Sequence, residues 1–196
     1  MSLVFLDLET KKSFSELPDR DPGKLGVSLV GIYKRPALNP DSSGGFKAFK
    51  EEEFADLWPV LEKAEKIIGF NILSFDWPAL NPYYPGDLLK LPTLDLLEVV
   101  KTSLGKRIRL DNLAQATLGQ GKIASGWDAI QFYQEGNWEE LKKYCLKDVE
   151  VTRDLYDFGQ KKGFWRYKHP PDEIREFPLQ WPEEEKKEGV SLTLGI

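Results

Sequence analysis

The sequence predicts an α/β domain with a mixed central sheet and helices on both faces. Three observations predict it. Three strand-like segments follow one another near the start, a short apolar strand comes after a helix-patterned stretch, and a long amphipathic helix lies late in the chain.

Residues 3–10, LVFLDLET, read as a buried strand. A polar stretch with Pro18, Asp19, Asp21, Pro22 and Gly23 then reads as a loop, and residues 27–35 (VSLVGIYKR) as a second strand. The segment 45–49 (GFKAF), reached through PALNPDSSGG, is the third, so the three imply an antiparallel meander. From Glu51 to Lys66 the residues Phe54, Leu57, Trp58, Leu61 and Ala64 recur at helical spacing. Pro59 interrupts them, so the helix either kinks there or restarts.

Residues 67–70 (IIGF) form a short buried strand that can lie parallel to the first, because a helix precedes it. A helix starts over Phe75 to Leu80 with Pro78 in its first turn. Residues 91–94 give a last short strand, with Thr93 expected to cap a helix over 94–104. Further helices are expected over 111–118 and 138–160. The domain is expected to fill residues 1–168. Residues 169–196, with Pro170, Pro171, Pro178, Pro182 and the charged run Glu183 to Glu188, read as an extended tail. That tail would dock partly through Ile174, Phe177, Leu179 and Trp181 and could offer a surface to a partner protein.

A chain of 196 residues suits one domain with a tail, and its 41% hydrophobic and 30% charged content are those of a soluble globular protein. No run approaches the roughly 18 apolar residues of a membrane span, so no membrane partner is expected. The start passes directly into a strand, which makes the cytoplasm the expected compartment. A net charge of −5 argues against a basic nucleic-acid coat protein, yet suits an enzyme that holds a nucleic-acid end through cations. The single cysteine, Cys145, excludes an intramolecular disulfide and a multi-cysteine zinc site, and reads as a buried thiol.

The chemistry lies in carboxylates at positions where apolar residues belong. In strand 3–10, alternation puts Val4, Leu6 and Leu8 on one face and Phe5, Asp7 and Glu9 on the other. Asp7 and Glu9 thus project side by side, about 6–7 Å apart at Cβ. They could equally be two ordinary acids where a strand meets solvent. On the long helix, Leu141, Tyr144, Cys145, Val149, Thr152, Leu155 and Tyr156 form an apolar face, and Asp148 lies inside it, one turn after Tyr144. A carboxylate there is costly unless paired, with Arg153 for example, or bound to a metal. Asp76 follows a buried strand and short loop, where helix capping alone would also explain it.

Two carboxylates about 5 Å apart repel by about 3 kcal/mol at an effective dielectric near 20, and four converging acids make six such pairs. Such a site demands raised pKa values or bound cations. Oxygen donors without an available histidine point to Mg²⁺ or Mn²⁺. Two such ions about 3.5–4 Å apart serve in-line attack on a phosphodiester, and Tyr144 would orient or help deprotonate the attacking water.

Taken in order, FLDLET with Asp7 and Glu9, GFNILSFDWPAL with Asn71 and Asp76, and YCLKDVEVTRDLY with Tyr144 and Asp148 resemble the DEDDy branch of the DEDD 3′→5′ exonucleases. The second motif is most similar to family B polymerase proofreading domains and their stand-alone bacterial relatives. The resemblance spans residues 3–160 and implies an RNase H-like fold and release of nucleotides from the 3′ end of single-stranded DNA or RNA. It implies Asp7, Glu9, Asp76 and Asp148 as ligands of two Mg²⁺ or Mn²⁺ ions, with Tyr144 as a further catalytic residue. Leu8 and Thr10 would lie near the terminal nucleotide, and Asn71 and Phe75 would line its approach. The sister branch uses a histidine just before the last acid; the one histidine here, His169, comes after it and reads as a loop residue.

Basic residues cluster at Lys101, Lys106, Arg107 and Arg109, at Lys142, Lys143 and Lys147, and at Lys161, Lys162, Arg166 and Lys168. Lys143 and Lys147 flank the third motif and are the candidates for phosphate contact; solvated helix faces are the plainer account of such clusters. Trp77, Tyr83, Tyr84 or Trp127 could stack on end bases, or pack in the core. The alternative function is a degenerate nucleic-acid-binding or scaffold domain of the same fold. A third reading, a phosphatase of the Asp-x-Asp kind, sits badly with Glu9 and the Tyr-x-x-x-Asp helix.

Overall fold

Alternation of apolar residues along the first strand decides where the sheet's two cores lie. In the computed structural model, which describes residues 1–37, 44–120 and 126–183, that strand is β1 (Ser2–Thr10). Val4, Leu6 and Leu8 enter one core and Phe5 the other. β1 pairs antiparallel with β2 (Val27–Pro36), and β2 with β3 (Gly45–Lys50), which is the expected meander. After helix α1 (Phe54–Glu62), β4 (Lys66–Gly69) lies parallel to β1, and β5 (Thr93–Asp95) parallel to β4. The sheet order is β3-β2-β1-β4-β5, so β1 is central.

Helices cover both faces, as expected. Under one face α1 and α2 (Asp76–Leu80) supply Phe54, Leu57, Leu61, Trp77 and Leu80. Leu57 and Leu61 are fully buried, each worth about 2 kcal/mol of apolar transfer. Over the other face lie α3 (Leu96–Leu104), α4 (Leu110–Leu118) and α6 (Trp138–Lys162). Helix α6 begins at Asn137, whose side chain accepts from the Glu140 N–H, and ends at Gly163 in the left-handed region with φ 77°. A nine-residue helix absent from the sequence reading, α5 (Gly126–Gln134), packs Ala129 against Leu29, Leu141 and Cys145.

Several expectations need correction. The helix expected over 51–66 is confined to Phe54–Glu62, with Pro59 inside it and Ala64 beyond its end. Thr93 does not cap α3. Asp95 does, accepting from the Leu97 N–H at 2.9 Å, while Thr93 Oγ1 accepts from Trp77 Nε1. The expected boundary at residue 168 cuts through a strand: β6 (Phe164–His169) pairs antiparallel with β7 (Glu173–Pro178), and His169 closes β6. Phe177 is buried among Trp165 and Tyr167, which holds the hairpin to the domain. Leu179 and Trp181 dock as expected, on the domain's own core, whereas Ile174 is exposed. Most of PALNPDSSGG and of the run Glu183 to Glu188 lies outside the described residues.

Candidate active site

β4 pairs with β1 only as far as Phe5, so the last residues of β1 extend past it. That free edge is where the second motif arrives: the Leu8 N–H donates to the Asp76 carboxylate. Asp76 is the first residue of α2, whose N-cap Phe75 supplies no side-chain bond. Asp76 therefore does not cap its helix; its carboxylate turns to β1.

Along its other edge β1 pairs with β2, and there Asp7 stands opposite Gly31. A Cβ at position 31 would come within 2.8 Å of Cys145 Sγ and 3.2 Å of both Leu146 and Val149, so only glycine lets α6 settle there. The Cys145 thiol donates to the Asp7 carbonyl oxygen at 3.6 Å. One carboxylate oxygen each from Asp7 and Glu9 and the Cys145 sulfur lie within 4.8 Å of one another. Tyr144 and Asp148, on the same stripe of α6, bracket this point and hydrogen-bond to each other.

The acids are close enough to disturb one another. Burial raises the Asp7 carboxyl well above its ordinary range, and Asp148, Asp76 and Glu9 raise it further. Burial, Asp148 and Asp76 do the same to Glu9. Asp76 is pushed up to about 8 by burial, with Asp95 adding to the rise and N–H donors from its own backbone and Leu8 opposing it. Burial and then Asp148, Glu9 and Asp7 hold the Tyr144 hydroxyl protonated far above its usual range. It is thus a hydrogen-bond donor, which suits the orienting one of the two parts expected of it. Cys145 is likewise kept a neutral thiol, by burial and by Glu9, Asp7 and Asp148. It packs the floor of the site.

Asp7 and Glu9 offer carboxylate oxygens beside an un-ionised thiol, and Asp76 and Asp148 act on them electrostatically, a repulsion that a hard divalent cation would relieve.

The other expected contacts divide. The Leu8 side chain is buried in the core under α1 and α2, so only its backbone belongs to the site. Thr10 Oγ1 donates to the Lys12 carbonyl at 2.9 Å. Phe75 is half-buried and stacks edge-on against Phe14. Asn71 adopts φ 67°; its N–H donates to Asp95 at 2.7 Å and its Oδ1 accepts from Arg107 at 2.9 Å. Lys143 is exposed and 3.5 Å from Glu140, while Lys147 is tied to Glu150 and to Gln120. Arg153 pairs with Asp154 and lies over Tyr33. Trp77 is fully buried, and Tyr83 and Tyr84 bond to the Val27 N–H and Glu62; of the aromatics considered for stacking, Trp127 is exposed.

Sequence reasoning missed Asp95 and Gly31. Asp95 accepts N–H bonds from Asn71, Leu73 and Leu97, fastening the second motif to the start of α3. An aspartate between a strand and the helix-patterned Leu96-Leu97-Glu98 was the available signal. For Gly31, a lone glycine inside a strand pattern signals a close backbone approach.

A family model described as RNase_H superfamily matches residues 4–159. The chain is also similar to nucleolar complex protein 3 homolog of Homo sapiens, 28% identical over 166 residues, which cover 81% of this chain and 20% of that protein. The Cricetulus griseus protein of the same name matches with the same identity and coverage. The chain thus spans about a fifth of the length of the curated relatives it matches. Their nucleolar name overturns the cytoplasmic expectation, which had rested only on how the first residues read.

Proposed function

The chain belongs to the RNase H superfamily, and on that premise we propose that it is a divalent-metal-dependent 3′→5′ exonuclease acting on single-stranded nucleic acid. One observation carries the reading: oxygens of Asp7 and Glu9 lie within 4.8 Å of each other and of the Cys145 sulfur on α6, and Asp148 of α6 and Asp76 of α2 act electrostatically on both acids. Asp7, Glu9, Asp76 and Asp148 would hold two Mg²⁺ or Mn²⁺ ions. When bound, these supply Lewis-acid stabilisation of the phosphoryl oxygens and a more acidic water.

The remaining steps fall to the protein. The protonated Tyr144 hydroxyl, beside Asp148, orients the attacking water. Gly31 lets α6 carry that pair down onto β1. Asn71 and Phe75 line the entry of the strand's end, and Lys143, more exposed than Lys147, is the phosphate contact on α6. Thr10 and the backbone of Leu8 border the terminal nucleotide.

The relatives are named for a complex, and this favours a second reading, a nucleic-acid-binding or scaffold domain without turnover. The two are separated by incubating the full chain and its Asp7→Asn variant with 5′-labelled single-stranded DNA and RNA in Mg²⁺ or Mn²⁺. A ladder of shortened strands, lost in the variant, supports the exonuclease. Internal cuts would identify an endonuclease, and binding without cleavage the scaffold.

A further inference from the structure

Beside the carboxylates, where β4 ends, a cavity of about 330 Å³ is lined by Asn71, Arg107 and Arg109 with Phe70, Leu97 and Ile108. β4 runs parallel to β1, so its C-terminal end opens at the end of the sheet that carries Asp7 and Glu9. Asp95 fastens Asn71, a residue of the cavity lining, and also acts electrostatically on Asp76. Yet the charges of cavity and acids are opposite. The described residues lining this cavity include two guanidinium groups and no carboxylate.

Arg107 is placed. Its Nη2 donates to Asn71 Oδ1 at 2.9 Å, and Asn71 is held at φ 67° by its N–H bond to Asp95. A guanidinium has five N–H donors, so this bond orients the group without exhausting it. Arg109, largely exposed, pairs loosely with Asp111 at 3.4 Å. It is also the N-cap of α4 and offers that helix no side-chain acceptor, so the helix dipole adds to the same positive end. Phe70 and Ile108, half-buried, and Leu97, buried, give the cavity an apolar wall beside its cations.

A strand feeding its end to four acids meets repulsion at each phosphate, and cations placed just outside the acids offset it. We propose that this cavity is the subsite for an upstream nucleotide of the bound strand. Arg107 and Arg109 grip its phosphate, the apolar wall receives its sugar and base, and Asn71, fixed by Asp95, sets where Arg107 stands. The assignment rests on the exonuclease reading, but its test does not depend on turnover alone.

Binding of a 5′-fluorescein-labelled single-stranded oligonucleotide is measured by anisotropy in EDTA over a range of salt, for the full chain, Arg107→Ala, Arg107→Lys and Arg175→Ala. Arg175 lies on β7, paired with Glu173. Arg107→Ala should weaken binding about tenfold and lower the salt slope by about 0.7, with Arg107→Lys keeping the slope and Arg175→Ala matching wild type. Turnover is compared on the oligonucleotide and on thymidine 5′-monophosphate p-nitrophenyl ester, which has no upstream phosphate. The ratio of kcat/KM, oligonucleotide over ester, should fall about tenfold in Arg107→Ala. Unaltered binding and slope overturn the subsite, as does equal loss on both substrates. A wild type that cleaves neither substrate ends the exonuclease reading, and the binding data then decide the subsite by themselves.

Discussion

A β-carbon on Gly31 would stand 2.8 Å from Cys145 Sγ, so α6 rests directly on the β1–β2 ladder at the rung that holds Asp7. The helix bearing Tyr144 and Asp148 is set by that contact. Gly31→Ala should therefore lift α6, costing about 1–3 kcal/mol of stability in urea titrations. Because misplacement of about 1 Å can cost about a hundredfold in rate, nuclease activity should fall by more than stability does. Gly45→Ala, which meets nothing within 4 Å, is the control and should change neither.

Removing one charge from the acid cluster should have two opposed effects. Asp7→Asn or Asp148→Asn should abolish metal-dependent release of mononucleotides and the expected rise in Tm on adding Mg²⁺ or Mn²⁺. In EDTA at pH 8 the same variants should be more stable than wild type by about 1–3 kcal/mol, since a mutually repelling pair is worth about that much. An unchanged metal-induced Tm shift would exclude these residues as ligands.

Asp76 makes the metal-free fold sensitive to pH. Its carboxyl ordinarily ionises near 3.8 and is pushed up to about 8 in the folded protein. The fold thus holds a proton that the unfolded chain releases. Its contribution is whole below pH about 4 and is lost as pH rises through about 8. Denaturation in EDTA should show falling stability across that window, flattened in Asp76→Asn. With Mg²⁺ the trend reverses in sign for affinity, because cations compete with that proton and bind more tightly toward pH 8.

Tyr144→Phe should cost about tenfold in kcat, the scale of one hydrogen bond, and far less than loss of an acid. Since the hydroxyl stays protonated, the alkaline limb of the pH–rate profile should be the same in both proteins. A limb that disappears with the substitution would make Tyr144 a base.

Much of this was legible in the residue order because local patterns and global folding agree for it. Alternation in LVFLDLET fixed which face Asp7 and Glu9 share, and the helical stripe around Asp148 marked a carboxylate in an apolar row. What escaped was decided by distant partners. β7 buries little besides Phe177, so EIREFP carries no apolar alternation, and it exists as a strand because β6 lies beside it. The resemblance put Leu8 near the terminal nucleotide, yet alternation sends its side chain into the core and its amide to Asp76. Trp77 could not be told from a stacking platform until its indole was seen bonded to Thr93.

β1 opens the order of elements and α6 comes after every strand of the main sheet, with α2 between them. No fragment of the chain therefore owns the pocket. Contacts that join such remote segments close large loops and tend to form late in folding. Half-finished or unravelling copies carry all the acids and none of the geometry. On the exonuclease reading the chain is thereby kept harmless until its whole sheet is assembled, and gentle heating should silence it before most of its helix content is gone.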